Sequence, residues 1–323
     1  MTKSIAIVAG EPNSISSEII FKTWKLKKKY THKPFFIIGS ARLLEQQSKY
    51  LKVKINIKEI DKDFNIKDLG HKDLPVYNVN YKQKKAFEKV SSKSNSYIFK
   101  CFEKANKLIK KKKIIGFINC PVSKETLFKK KNQGVTEFLS KKDNKINHEV
   151  MLIYNKRLSV APLTAHIPLG QVSKKINRLK IERKVKTINN FYKNIFKKKP
   201  KIAILGLNPH NFSSENKSEE KMMIIPAIKN LKRAGINVVG PVSPDTSFVI
   251  YDKYKYDVIF GMYHDQVLTP FKTLFKYEAI NITLGLSYVR VSPDHGIAEN
   301  IVCKNMANPQ SLIESIKFFN KIK

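Results

Sequence analysis

Apolar and polar positions alternate along this chain in blocks that read as strands and helices in turn. SIAIVAG (residues 4–10) is a short continuous apolar run, as a strand buried on both faces requires. SSEIIFKTWKLKKK (16–29) spaces its apolar residues as a helix does, behind Ser16 or Ser17 as a cap. The pair repeats as PFFIIGS (34–40) and ARLLEQQSKYLK (41–52). After a polar connection and the short run LPVYNV (74–79), residues 82–113 predict one long basic helix. It feeds IIGFINCPVSK (114–124), a strand that ends in polar groups.

From about residue 147 the rhythm changes. HEVMLIYN (148–155) and RLSVAPLTAHIP (157–168) read as consecutive strands, followed by a helix in IERKVKTINNFYKNIF (181–196). KIAILGLNPH (201–210) is again strand-like, EEKMMIIPAIKNLKRAG (219–235) helical, and INVVGPVSPDTSF (236–248) extended. The strand YDVIFGMYHD (256–265), the segment AINITLGLSYVRVSPDHG (279–296) and the helix PQSLIESIKFFNKIK (309–323) complete the pattern. This is the alternation of an α/β protein. A boundary is expected between 125 and 145, although no Pro/Gly/Ser tract marks it.

With 323 residues, 42% of them hydrophobic, the chain can bury one large core or two ordinary ones. No apolar run approaches the roughly 18 residues that span a bilayer. The N-terminal apolar stretch is too short for a secretory signal and meets an acid at Glu11. Cys101, Cys120 and Cys303 are odd in number and far apart, which suits a reducing cytoplasm and no disulfide framework.

The net charge of +36 first suggests nucleic acid. Only six of the 62 basic residues are Arg, however, and Arg is the fork that phosphate and base recognition favour. Lys is spread evenly beside much Ile and Asn, as compositional drift on solvated faces would leave it. We therefore expect no dedicated nucleic-acid groove, while attraction of small anions remains.

Seven histidines divide into two groups. His32, His71 and His148 sit in Lys-rich polar surroundings and read as surface residues. His166, His210, His264 and His295 each lie just beyond an apolar run. Strand ends in open α/β sheets converge on one crevice. The spacings of 44 and 54 residues among His166, His210 and His264 exclude a zinc-finger loop but suit a catalytic metal held by three strand-end imidazoles. The plainer reading of each is a hydrogen-bonded structural histidine. Lys272, Asn281 and Arg290 continue as a polar thread through apolar sequence. Arg290 suits a carboxylate or phosphate fork, or equally a salt bridge to Asp294 or Asp265. No GxGxxG follows any strand, so no Rossmann fingerprint is present.

GLNPH, GPVSPDTSF, MYHDQ, NITLGLSYVR and DHGIA occur in order with GEP at 10–12, CPVSK at 120–124 and GVTEF at 134–138. Together they resemble the 4-hydroxythreonine-4-phosphate dehydrogenase family of pyridoxal phosphate biosynthesis. The resemblance implies an isocitrate/isopropylmalate dehydrogenase-like fold, three-layer α/β/α in two domains with a cleft, divided as 1–125 plus 297–323 and 126–296. It further implies a homodimer, a divalent metal (Zn, Mg or Co), and NAD bound without a Rossmann fingerprint. On this sequence the metal ligands would be His166, His210 and His264, and the substrate-binding residues Thr136, Lys272, Asn281 and Arg290. DHGIA, with Asp294, His295 and Gly296, would face the adenosine of NAD. Asp245, Asp265 and Lys272 would serve catalysis, the carboxylates by moving a proton or by orienting a metal-bound histidine.

The implied reaction is oxidation of the C3 hydroxyl of 4-phosphooxy-threonine, followed by decarboxylation. Two positions depart from the family pattern. The turn after GEP reads NSISS instead of a Gly-rich sequence, and Val135 stands where the family has a histidine before the threonine of GHTEF. Val135 leaves open a second substrate class, phospho-threonate or phospho-erythronate. A third expectation, weaker than both, is a non-catalytic basic protein that binds polyanions.

Overall fold

A computed structural model describes residues 4–70, 72–128, 134–146, 148–211 and 217–322; His71 therefore lies outside the described residues. The strands are β1 (Ser4–Val8), β2 (Phe35–Gly39), β3 (Ile57–Ile60), β4 (Leu74–Asn78), β5 (Ile114–Asn119) and β6 (Val150–Tyr154), then β7 (Ser159–Thr164), β8 (Ile202–Leu205), β9 (Val238–Val242), β10 (Val258–Tyr263), β11 (Ile280–Leu284) and β12 (Val289–Pro293). The helices are α1 (Ser16–Leu26), α2 (Ala41–Tyr50), α3 (Asn95–Lys110), α4 (Lys124–Phe128), α5 (Val135–Lys142) and α6 (Val172–Lys175), then α7 (Arg178–Phe191), α8 (Ile225–Arg233), α9 (Pro244–Ile250), α10 (His264–Phe275) and α11 (Gln310–Phe319).

The chain divides into two compact units, Met1–Lys131 with Tyr288–Lys323, and Asn132–Ser287. The division expected from the resemblance kept Arg290, Asp294, His295 and Gly296 with the second domain. They belong to the first unit, because β12 hydrogen-bonds in parallel to β5, with Arg290 opposite Phe117.

In the first unit six strands pair in the order β3-β4-β2-β1-β5-β12, every neighbour parallel. β1 and β2 are buried along their whole length, which is why they read as unbroken apolar runs. Ser40 caps α2 by accepting the Leu43 amide. At α1 the cap is not Ser16 or Ser17: the Ser14 hydroxyl accepts from Ser16 N and donates to the Glu11 carbonyl.

The long helix expected over 82–113 begins only at Asn95. Gln83 and Glu88 are instead tied to Asn13 Oδ1, and Gln47 donates to the carbonyls of Pro12 and Ala86. Those bonds hold residues 83–88 in an irregular path that helical pairing would break.

The second unit is mixed. β11 and β6, and β6 and β7, pair antiparallel, whereas β7-β10-β8-β9 are parallel neighbours. Its core includes Val160, Leu205, Ile259, Val267, Leu268, Phe271 and Phe275, so α10 lays one face on the sheet. The helix expected over 219–235 opens as a π turn, Glu220–Ile224. Pro226 has no N–H to donate to the carbonyl four residues back, and the turn before it widens.

Candidate active site

β7, β10 and β8 lie side by side and parallel, so their C-terminal ends emerge at one edge of the second unit's sheet. His166 follows β7, His264 follows β10, and His210 follows β8. The sheet order thus brings three residues distant in sequence to one edge.

Two of them meet. The rings of His166 and His264 are 6.1 Å apart between centroids, within reach of one ion held by bonds of about 2.1 Å. His264 is the first residue of α10, where its Nδ1 lies 2.6 Å from Asp265 Oδ1. His210 has a left-handed backbone (φ 52°) and is largely exposed, with Nδ1 3.7 Å from Asp245 Oδ2. Asp245 is held below the usual carboxylate range, first by the Ser243 hydroxyl, which donates to it at 2.7 Å. Among the described residues no three His, Cys, Asp or Glu side chains are grouped closely enough to hold a metal ion. The donor set suits a divalent metal in kind, and two imidazoles suit it in position. The third does not join them.

The GVTEF segment borders His166. Gly134 N donates to Glu137 Oε2 at 2.8 Å and starts α5, and a Cβ on Gly134 would stand 3.7 Å from His166 Cε1. This puts Thr136 in the first turn of α5, its Oγ1 3.2 Å from Thr283 Oγ1 of β11. Val135 is buried at 6% exposure, so its methyls are part of the packing under this turn. Asn281, also on β11, has its Oδ1 buried with no hydrogen-bond partner, a polar atom that a ligand donor could satisfy. Lys272 is exposed in the last turn of α10, eight residues and about 12 Å of helix beyond His264.

The remaining expected residues are in the first unit. Arg290 is 3% exposed, and its Nε donates to Asn119 Oδ1 at 2.7 Å. That bond fixes the plane of the guanidinium on β12. Asp294 N donates to Ser311 Oγ, His295 Nδ1 lies 3.0 Å from Gly296 O, and Ile15 N donates to Ile297 O. The loop from Asp294 to Ala298 is therefore fixed against the turn that opens α1.

Sequence reasoning missed two residues, Glu220 and Lys184. Glu220 is fully buried and its carboxylate accepts the main-chain amides of Leu207 and Asn208, inside the GLNPH segment. Adjacent acids are a usable signal in a chain with 26 acidic residues against 62 basic ones. Lys184 of α7 donates to the Leu163 carbonyl at 3.1 Å, and burial pushes its pKa down to about 8, helped by Lys180 and opposed by Glu149 and Glu137.

Comparison with known proteins gives this geometry a family. Residues 31–319 match the family described as pyridoxal phosphate biosynthetic protein PdxA. The chain belongs to that family. A PdxA-family relative from Sulfurihydrogenibium sp., named 4-hydroxythreonine-4-phosphate dehydrogenase, is 38% identical over 97% of this chain and 96% of its own length. One of the same name from Aquifex aeolicus is 35% identical over 100% and 99%. A relative named D-threonate 4-phosphate dehydrogenase, from Salmonella typhimurium, is 30% identical over 98% of each.

The crystal structure of 4-hydroxythreonine-4-phosphate dehydrogenase from Klebsiella pneumoniae superimposes with a TM-score of 0.85 at 27% identity, covering 98% of this chain and 97% of that one. Isocitrate dehydrogenase from Methylococcus capsulatus, at 10% identity and a TM-score of 0.53 over 99% and 86%, shares the fold alone. The PdxA family is one of dehydrogenases, so this chain is an oxidoreductase of the CH–OH class with an isocitrate dehydrogenase-like α/β fold. No helix among its described residues is long and apolar enough to cross a membrane.

Proposed function

We propose that this protein oxidises 4-phosphooxy-L-threonine with NAD to 2-amino-3-oxo-4-phosphooxybutanoate, which loses CO2 to give 3-amino-2-oxopropyl phosphate. The observation that carries the reading is the near-complete match to relatives named for this reaction, 38% identical in one case. NAD, when bound, would supply the hydride acceptor for C3. Asp294, His295 and Gly296 would hold its adenosine: a carboxylate and an imidazole beside an open glycine suit ribose hydroxyls and ring nitrogens.

The chain's own groups do the rest. Thr136 and Asn281 bind and orient the substrate's polar groups. Lys272 and Arg290 neutralise its phosphate and carboxylate. Asp265 fixes the proton of His264 on Nδ1. Asp245, the carboxylate beside His210, accepts the proton that leaves the C3 hydroxyl as hydride departs. In the 3-oxo acid the C1–C2 electrons flow to the ketone, CO2 leaves, and C2 is then protonated.

The approach of His166 and His264 supports a divalent metal (Zn, Mg or Co) in this site, with His210 as the third imidazole. When bound, such an ion supplies Lewis-acid stabilisation of negative charge at the reacting oxygen. The likeness to the family supports a homodimer. Free Cys101 and Cys120, both buried, support a cytoplasmic setting.

Val135 and the relatives named for D-threonate 4-phosphate favour a second reading, in which phospho-threonate or phospho-erythronate is oxidised. The deciding experiment measures NADH formation on all three substrates, with and without chelator. The highest kcat/KM should fall on 4-phosphooxy-threonine, chelation should abolish it, and added metal should restore it. A preference for either sugar acid replaces the first reading with the second. Full activity in metal-free protein removes the metal from both.

A further inference from the structure

Glu219 and Glu220 lie outside every residue set named so far for binding or chemistry, yet they touch the loops that carry the histidines. Glu220 is fully buried. Its Oε1 accepts the amides of Leu207 at 2.8 Å and Asn208 at 2.9 Å, and its Oε2 accepts Asn208 Nδ2 at 2.9 Å. The same Asn208 Nδ2 donates to Glu219 Oε2 at 3.0 Å. Glu219 Oε1 in turn accepts from Ser173 Oγ of α6, which ends the segment that follows His166. On the other side Gln266, two residues beyond His264, donates to the Gly206 carbonyl at 2.8 Å and accepts Met262 N at 2.6 Å. One continuous chain of hydrogen bonds therefore runs from the His166 segment through the His210 loop to the start of α10.

We propose that Glu219 and Glu220 are positioning residues: a carboxylate clasp that holds the His166 and His210 loops in register through the Asn208 amide. The inference rests on the reading that these loops form the active site. Consecutive residues in an α-helix diverge by about 100°. Here they open a π turn, and both carboxylates reach one amide. At position 220 a carboxylate is required, because all three groups that it meets are N–H donors. A glutamine at 220 would turn an NH2 towards Asn208 or a main-chain amide. Asn208 cannot flip to meet it, since its oxygen would then face Glu219 Oε2. The loop has no slack either: a Cβ on Gly206 would run into Asn211 Oδ1.

The test is Glu220→Gln in the full-length protein, with Glu219→Ala and Ser173→Ala as partners on the exposed side. Amide exchange at Leu207 and Asn208 should quicken in Glu220→Gln while β8 and β10 stay protected. Divalent-metal affinity, read by competition with a chromophoric chelator, and kcat/KM should each fall roughly 10- to 100-fold at unchanged folding, the usual cost of removing a partner behind a ligand. Glu219→Ala and Ser173→Ala should lower both in the same direction and be non-additive with each other.

Faster exchange with wild-type affinity and kcat/KM would reduce the clasp to a structural role and overturn the proposal, as would unchanged exchange. Should Glu220→Gln fail to fold, the other two variants decide on the same terms. Should the wild-type protein bind no metal, the metal reading fails by itself, and the clasp is judged on exchange against kcat/KM.

Discussion

Asp265 Oδ1 sits 2.6 Å from His264 Nδ1, a bond between sequence neighbours at the first turn of α10. A carboxylate can only accept, so Nδ1 is the donor here and Nε2 is the nitrogen left to face a metal or a polarised hydroxyl. Asp265→Asn keeps the size and offers an NH2 that can stabilise the opposite tautomer. We expect kcat/KM to fall roughly 10- to 100-fold with little change in stability, because Asp265 is largely exposed. Steady-state kinetics beside a thermal melt checks this, and wild-type kinetics in the variant would refute it.

Val135 tests substrate identity. An imidazole there could regain a hydrogen bond to a charged group, an interaction of about 1.5–3 kcal/mol, so Val135→His should raise kcat/KM on 4-phosphooxy-threonine about tenfold or more. Burial of Val135 has a consequence for the same variant: overpacking should cost about 1–3 kcal/mol, visible in a urea melt. If the substitution instead impairs phospho-threonate turnover and leaves the threonine substrate unimproved, Val135 is a specificity device for the sugar acid.

Lys184 makes stability depend on pH in a stated direction. Its folded pKa, about 8, lies below the ordinary 10.5, so between those values the unfolded chain holds the extra proton and stability rises with pH. Below pH 8 the fold must keep a desolvated ammonium. Lys184→Met should flatten that rise, measured as the change in unfolding free energy across pH 7.5 to 10.5 relative to wild type. An unchanged slope would show that the ammonium is well solvated.

The basic charge should act without specificity. A cavity of about 1200 Å³ in the first unit is lined by Trp24 and by Lys25, Lys28, Lys49 and Lys52, enough cation to draw any polyanion. Binding of DNA or RNA should be weak, indifferent to sequence and steeply lost between 50 and 200 mM salt, as counterion release dictates. Tight, sequence-selective binding at high salt would revive the polyanion-binding reading.

Much of this was legible because it depends on periodicity. Continuous apolar runs gave β1, β2, β5 and β10, and residues just past strands collected at one sheet edge because β7, β10 and β8 are parallel neighbours. The meeting of His166 and His264 follows from that. What escaped depends on tertiary bonds that leave no period. Residues 83–88 are bent by Asn13 and Gln47, the π turn arises from Pro226, and the exposed left-handed posture of His210 is a backbone property of its loop. The place of Arg290 in the first unit is set by the pairing of β12 with β5, which no local pattern announces.

The chain's return to the first unit bears on the order of folding during synthesis. The first unit is discontinuous, and β12 completes its sheet only when residues 289–293 exist. Until then a ribosome-bound chain shows one bare edge of β5 and lacks α11, whose Leu312, Ile316 and Phe319 are buried. Asn132–Ser287 is one contiguous stretch, all of it made before β12. The later-coded body can therefore mature first, and the earlier-coded one waits for the tail, holding open a strand edge of the kind chaperones recognise.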